Sequence, residues 1–361
     1  MIRIAELIQR HQDFLYNGWL DTDQFRALQS LRICRTAEAQ GALYGCDNCE
    51  SVRFIYHSCG HRFCPNCQNY KTTLWLHRQK SRLLPCDYFM ITFTLPAELR
   101  QVPRQDRHKF YDAFFECSSA AIKELAMDRL KGTPGMIGVL HTNGRNLSFH
   151  PHIHYIVPAT VLNKDEKCIK KIKAKFFLHQ QVLANIFRGK FLGKLKELNI
   201  PFPGYLYGRK WQADCDLKGN GLNALEYLSR YLIKGPVSQK ALSYTADGKV
   251  KLRYKASGTK KMTDIIFDEK TFLKKLVQHV LPKGFHRIRE YGFLAPAGKK
   301  MLLRLQLILH VKLPDEEVPD PPQVICPCCQ SSMTLILRKV ETAWVRRMVK
   351  KARSPPNIFV P

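Results

Sequence analysis

Acidic residues are scarce in this chain. Its 361 residues carry 58 Lys and Arg against 30 Asp and Glu, a formal charge of +28, and an imbalance of that size calls for a polyanionic partner, with nucleic acid the natural candidate. Long apolar runs are also lacking: none approaches the roughly 20 residues needed to span a bilayer. The basic residues are spread along the whole length, so no membrane is expected among the partners. No Gly-x-x-x-x-Gly-Lys-Ser/Thr loop is present to cradle nucleotide phosphates, an absence that fits chemistry independent of ATP. There is no internal repeat of useful length and no export leader. The opening MIRIAELIQRHQDFLYNGWL instead sets Ile4, Leu7, Ile8, His11, Phe14 and Leu15 at helical spacing. A reducing, cytoplasmic location is therefore expected.

In such a compartment the thirteen cysteines read as metal ligands or buried thiols before disulfides. Cys46-x-x-Cys49 and Cys64-x-x-Cys67 are separated by fourteen residues, a spacing that lets both pairs wrap one tetrahedral ion. This predicts a structural zinc. Cys34, Cys59, His57 and His61 lie in or beside the same stretch and could hold a second ion; the alternative is that the thiols are buried and the histidines face solvent or DNA. Cys326-x-x-Cys329, with Cys328 between its members, is half of a zinc site whose mate must come from elsewhere in the chain.

Local patterns place these ligands in an expected α+β protein built on a mainly antiparallel sheet. Residues 1–33 read as helical and 34–70 as a small metal-stapled unit of turns. A larger domain is expected over 85–295, and 296–361 forms a C-terminal region with a proline-rich linker, PDEEVPDPP, and a basic tail. Within the larger domain, Tyr88–Leu95 predicts a strand ended by Pro96, and 104–130 a helix stopped by Gly132 and Pro134. Met136–Thr142 and His152–Val157 predict strands joined through Asn143-Gly144. A basic helical region follows over 167–198, then a strand near Leu206–Asp214, a helix over 222–233 and a strand at Val250–Tyr254.

His150, His152 and His154 alternate, and alternation in a strand puts side chains on one face. Adjacent imidazoles at His152 and His154 supply half of a divalent metal site. The third ligand would be His150, the nearest, or His141 on the preceding strand. An isolated His-x-His pair is more often simply hydrogen-bonded; the company of two further histidines on a very basic chain favours metal. Imidazoles accept zinc, magnesium or manganese, and the sequence does not choose among them.

In LNALEYLSRYLIK, Leu225, Leu228 and Leu232 line one helix face with Ala224 beside them. Tyr227 and Tyr231 are four apart and share a side next to that seam, with Lys234 at nearly the angle of Tyr227. Most helical tyrosines at such a boundary are amphipathic packing residues. A phenol that attacks phosphate needs the same boundary, with its ring fixed and its oxygen near cations.

Taken together, CRT at Cys34–Thr36, Cys46-x-x-Cys49 followed by SCGHRFCPNCQ, HTNGRNLSFHPHIH, YLSRYLIKGPVS and HVLPKGFHRIREYGF resemble, in the same order, the two-tyrosine HUH transposases of bacterial insertion sequences of the insertion sequence ninety-one type. The resemblance implies an HUH catalytic domain and an N-terminal transposase zinc-binding domain. It implies that His152 and His154 hold a catalytic magnesium or manganese ion and that Tyr227 and Tyr231 are nucleophiles that cut single-stranded DNA at the ends of a mobile element. A bacterial, nucleoid-associated protein working with host replication machinery is expected on the same ground. Departures from the family pattern fall at Ala42, Gly60-His61 and Asn143; the first removes a histidine that would serve a second zinc. A relaxase or replication initiator with the same chemistry, or a catalytically inert zinc-dependent DNA-binding protein, are the competing readings.

Overall fold

DYFMITFT, buried on both faces along most of its length, makes Asp87–Thr94 (β1) an interior strand of a five-stranded sheet. Phe89, Ile91 and Phe93 point one way and are fully buried; Thr92 and Thr94 point the other. Helix α1 follows (Arg107–Leu130), ended by Lys131 in the left-handed conformation. Strands β2 (Met136–Asn143) and β3 (Phe149–Pro158) form the hairpin expected around Asn143-Gly144. Helix α2 (Gln180–Glu197), strand β4 (Gln212–Asn220), helix α3 (Gly221–Leu232), strand β5 (Ile288–Tyr291) and helix α4 (Lys299–Ile308) complete this unit. The sheet order is β5-β2-β3-β1-β4, and every neighbouring pair is antiparallel. The computed structural model describes residues 2–100, 106–163, 169–171, 178–232, 235–256, 259, 261–312, 317–351 and 358–359.

The two faces of this sheet differ in what covers them. On one, Phe89, Ile91, Phe93, Leu140, Ile153 and Tyr155 pack against Phe110, Phe114 and Phe115 of α1 and Phe187 and Phe191 of α2. Phe114 stacks on Phe187 with ring centroids 5.5 Å apart. The Tyr155 hydroxyl, buried in this layer, is satisfied by Ser118 Oγ at 2.7 Å, as a buried hydroxyl must be. On the other face, Tyr88, Ile137, Val139 and Ile156 pack with Ala224 and Leu225 of α3, Phe293, Leu294, and Leu302 and Leu305 of α4.

Two compact units partition the chain: Thr72–Ile233 with Leu281–Val318, which holds this sheet, and Met1–Lys71 with Lys234–Val280 and Pro319–Pro361. In the latter, helix Thr22–Ile33 begins with a capping box between Asp21 and Gln24. A hairpin of Gly41–Gly45 and Val52–Tyr56 is extended by Thr334–Val340 on one side and Ile358–Phe359 on the other. A second sheet, Leu242–Tyr244, Val250–Lys255 and Met262–Phe267, precedes helix Glu269–Val277, which Asp268 caps. Gln24 Nε2 donates to the Val277 carbonyl at 3.3 Å, and Asn66 bonds Gln239.

Several local expectations differ from this architecture. The hairpin at 41–56 lies inside a stretch that reads as turns, because its cysteines and glycines mask two five-residue strands. The contiguous ranges read from the sequence assign 234–280 to the larger domain, whereas these residues group with the N-terminal segment through the bonds just named. The strand near Leu206–Asp214 begins only at Gln212. Gly204–Tyr207 is instead a tight helical turn, held by the Trp211 indole donating to the Leu206 carbonyl at 3.2 Å. Of the basic region at 167–198, Gln180–Glu197 is helix; 164–168 and 172–177 lie outside the described residues.

Candidate functional site

Cross-strand register gathers three histidines. His141 on β2 stands directly opposite His152 on β3, and His154 follows two residues on, on the same face. One ring nitrogen from each of the three lies within 4.8 Å of the others, with ring centroids 4.7 Å apart for His152 and His154 and 4.9 Å for His141 and His154. His150, the other candidate for a third ligand, is not in this group. Its ring stays 5.3 Å from that of His152, and its backbone carbonyl accepts a hydrogen bond from His152 Nδ1 at 2.7 Å. Because a carbonyl only accepts, His152 Nδ1 carries the proton and Nε2 the lone pair. Thr92 Oγ1 lies 2.8 Å from His154 Nδ1, and the two residues are register partners across β1 and β3. Thr92 is a site residue that motif reading does not single out; its signal is a threonine on the polar side of an otherwise apolar strand.

Burial is what tunes these imidazoles. It lowers His152 to about 4, against the raising effect of the hydrogen bond to the His150 carbonyl, and lowers His141 and His154 well below the usual range, each with a contribution from a neighbouring histidine. All three are therefore neutral at pH 7, the form in which imidazole ligates a metal. Neutral donors, a fixed tautomer at His152, and outer hydrogen-bond partners in a carbonyl and a hydroxyl make a donor set that fits a divalent ion.

Helix α3 packs on the same face of the sheet, with Ala224 and Leu225 in one apolar cluster with Tyr88, Val139 and Ile156. Its Tyr227 and Tyr231 are one turn apart along that helix; their side chains, and Lys234 altogether, lie outside the described residues.

Among the described residues, eight cysteines form two tetrads, and the partners differ from those that sequence spacing predicts. Cys34, Cys59, Cys64 and Cys67 make one, and Cys46, Cys49, Cys326 and Cys329 the other. The reason is the hairpin. Cys46 and Cys49 sit in its turn, whereas Cys34 and Cys59 flank its open end, where Arg35 N–H bonds the His57 carbonyl at 3.0 Å. Five-residue strands at about 3.4 Å per residue hold those two ends well beyond the reach of one ion. Thus Cys64-x-x-Cys67 pairs with Cys34 and Cys59, and His57 and His61 belong to neither group; His61 Nδ1 instead accepts from the Phe63 amide at 3.2 Å. In the first tetrad, Cys34 Sγ is 3.7 Å from Cys64 Sγ and 3.5 Å from Cys67 Sγ, and Cys59 Sγ is 3.6 Å from Cys67 Sγ. Tetrahedral zinc with bonds of about 2.3 Å places sulfurs about 3.8 Å apart, so these four thiols fit it.

Two family models match the chain: "Transposase zinc-binding domain" over residues 7–95 and "Putative transposase" over residues 135–301. The first spans Cys34 to Cys67; the second spans the histidine cluster, α3 and β5. "Putative transposase y4qJ" of Sinorhizobium fredii (strain NBRC 101917 / NGR234) is 32% identical over 308 residues, covering 76% of this chain and 75% of that protein. The chain belongs to the IS91 family of transposases. A second relative in that family, "Transposase for insertion sequence element IS801" of Pseudomonas savastanoi pv. phaseolicola, is 29% identical over 304 residues, 78% of this chain and 72% of its own. No solved structure matches. No helix among the described residues is long and apolar enough to cross a membrane.

Proposed function

We propose that this transposase nicks and rejoins single-stranded DNA at the ends of an insertion sequence through a covalent phosphotyrosine, with Tyr227 and Tyr231 as nucleophiles, and so drives rolling-circle transposition without ATP. The observation that carries this reading is that α3, which bears both tyrosines, packs on the sheet face where His141, His152 and His154 converge. A magnesium or manganese ion held by those histidines would polarise the scissile phosphate and stabilise charge on its oxygens.

The chain's own contribution is nucleophilic. One tyrosine oxygen loses its proton and bonds to phosphorus, and the bond from phosphorus to the departing sugar oxygen breaks. The DNA five-prime end is then a phosphotyrosine ester, and the other end is a three-prime hydroxyl that has gained a proton. Attack by a three-prime hydroxyl on that ester reverses the chemistry, rejoins DNA and frees the phenol, so bond energy is conserved. Two tyrosines one helical turn apart let a second strand be cut while the first remains linked. Lys234 and the basic runs KKIKAKF, RGKFLGKLK and KGFHRIRE supply cations for the phosphates. The zinc-binding domain contributes to the grip on DNA, and replication by the host supplies the displaced strand.

Purified protein mixed with labelled single-stranded DNA carrying the element's ends, with and without manganese, tests this on a denaturing gel beside a Tyr227→Phe, Tyr231→Phe double variant. A manganese-dependent, protease-sensitive adduct in the wild type alone is expected. Salt-sensitive binding to a cognate end with no adduct would instead identify a DNA-binding protein without strand-transfer activity. Adduct formation confined to a plasmid origin, with none at element ends, would identify an initiator or relaxase.

A further inference from the structure

We propose that Cys46, Cys49, Cys326 and Cys329 form a second zinc site, separate from the one in the N-terminal family domain and shared between the two ends of the chain. Its C-terminal half lies beyond both matched family regions, which end at residues 95 and 301. Cys46 Sγ is 3.4 Å from Cys329 Sγ, and Cys49 Sγ is 3.5 Å from Cys326 Sγ. These separations are far longer than a disulfide bond of about 2.05 Å and close to the sulfur spacing around tetrahedral zinc.

The backbone supports this independently, because the two halves are built alike. In Cys46-Asp-Asn-Cys49-Glu-Ser51 the Cys46 amide donates to the Ser51 carbonyl at 2.9 Å and the Glu50 amide to the Cys46 carbonyl at 3.0 Å. In Cys326-Pro-Cys-Cys329-Gln-Ser331 the equivalent bonds, Cys326 to Ser331 and Gln330 to Cys326, measure 2.8 and 3.1 Å. Glu50 and Gln330 hold the same left-handed backbone, φ 55° and 61°, a conformation that side-chain-bearing residues adopt only at some cost. Two distant segments sharing one turn and aiming paired thiols at a common point is the architecture of a two-knuckle zinc site. Tyr44, Val324 and Met333 pack around it, and the adjoining strand Thr334–Val340 pairs with Gly41–Gly45. The intervening Cys328 is exposed and outside the tetrad; its sulfur accepts from Ser51 Oγ at 3.4 Å. The ion would thus close a loop of some 280 residues (partners 277 and 283 apart) and hold the C-terminal segment on the N-terminal hairpin.

Cobalt substitution of the full-length protein tests this, because sulfur-to-cobalt charge-transfer absorption counts thiolate-bound metal only and ignores any ion at the histidines. Saturation at two equivalents per chain is expected for the wild type and for Cys328→Ser. Cys326→Ser, Cys329→Ser is expected to halve that absorption, and Cys329→His, which keeps a donor, to retain the second equivalent. Limited proteolysis in the 317–325 segment should leave the C-terminal fragment bound in the wild type and release it from the double variant. Saturation of the wild type at one equivalent, or undiminished absorption in the double variant, would overturn the proposal; the wild-type titration decides the matter even if the variant fails to fold.

Discussion

Thr92 Oγ1 and His154 Nδ1 meet at 2.8 Å across β1 and β3. His152 Nδ1 likewise donates to the His150 carbonyl, so both imidazoles that β3 brings to the cluster have a ring nitrogen engaged. Outer partners of this kind orient the ring and raise its basicity, and their loss typically costs about 10–100-fold in metal affinity. Thr92→Val keeps the shape of a buried strand position and removes the hydroxyl. It is expected to weaken manganese binding by about tenfold or more, raising the manganese concentration needed for cleavage while leaving the thermal midpoint nearly unchanged. Calorimetric titration with manganese checks this, and unaltered affinity would mean that Thr92 does not orient the ligand.

The identity of the third ligand separates two neighbouring histidines. His141 joins His152 and His154, whereas His150 lies outside the cluster. His141→Asn is expected to lower manganese affinity and adduct yield by on the order of a hundredfold or more, since even an outer partner of a ligand is worth about 10–100-fold. His150→Ala keeps the backbone carbonyl that His152 uses and should change both by less than about threefold. Equal losses from the two substitutions would return His150 to the ligand set.

The difference between these histidines shows how far sequence carries. Alternation in His150-Pro-His152-Ile-His154 is local, and by itself it puts His152 and His154 on one face. Whether His150 or His141 completes the group depends on the register between β2 and β3, a non-local property. Thr92 was invisible for the same reason. The cysteines repeat the lesson: Cys-x-x-Cys pairs are legible, but which pair meets which is set by a hairpin that holds Cys46 and Cys34 at opposite ends. Helix α3 was legible because its apolar seam has a clean 3.6-residue period. Residues 234–280 carry no such signature of their allegiance, since the bonds that fix it, such as Gln24 to Val277, span the chain.

The charge balance predicts how DNA binding responds to salt. With a formal charge of +28, association releases counterions from the phosphates in proportion to the contacts made. The dissociation constant for single-stranded DNA is expected to rise by on the order of a hundredfold between about 50 and 200 mM salt, with a linear log-log plot by fluorescence anisotropy. A flat response would mean that base stacking or shape, and not phosphate contact, supplies the affinity.

Gly292, in the REYGF block and directly after β5, sits at φ 59°, where a side chain is strained. Space is also lacking: a Cβ there would stand 2.2 Å from the Pro134 carbonyl oxygen and 3.2 Å from the Gly135 Cα. Both neighbours are backbone, so neither can rotate away. They adjoin β2, whose far end carries His141, and the next residue, Phe293, is buried against Gly135 and in the cluster that seats α3. Gly292→Ala is therefore expected to destabilise by about 1–3 kcal/mol, the usual cost of overpacking, with the positive φ adding to it. Urea unfolding of the full-length protein checks this. Gly284 provides the control within the same motif: its φ is 76° but nothing approaches its Cβ position, so Gly284→Ala should pay only the conformational cost, about 1 kcal/mol. If the two variants unfold at the same urea concentration, close backbone approach at Pro134 is not what requires glycine at 292.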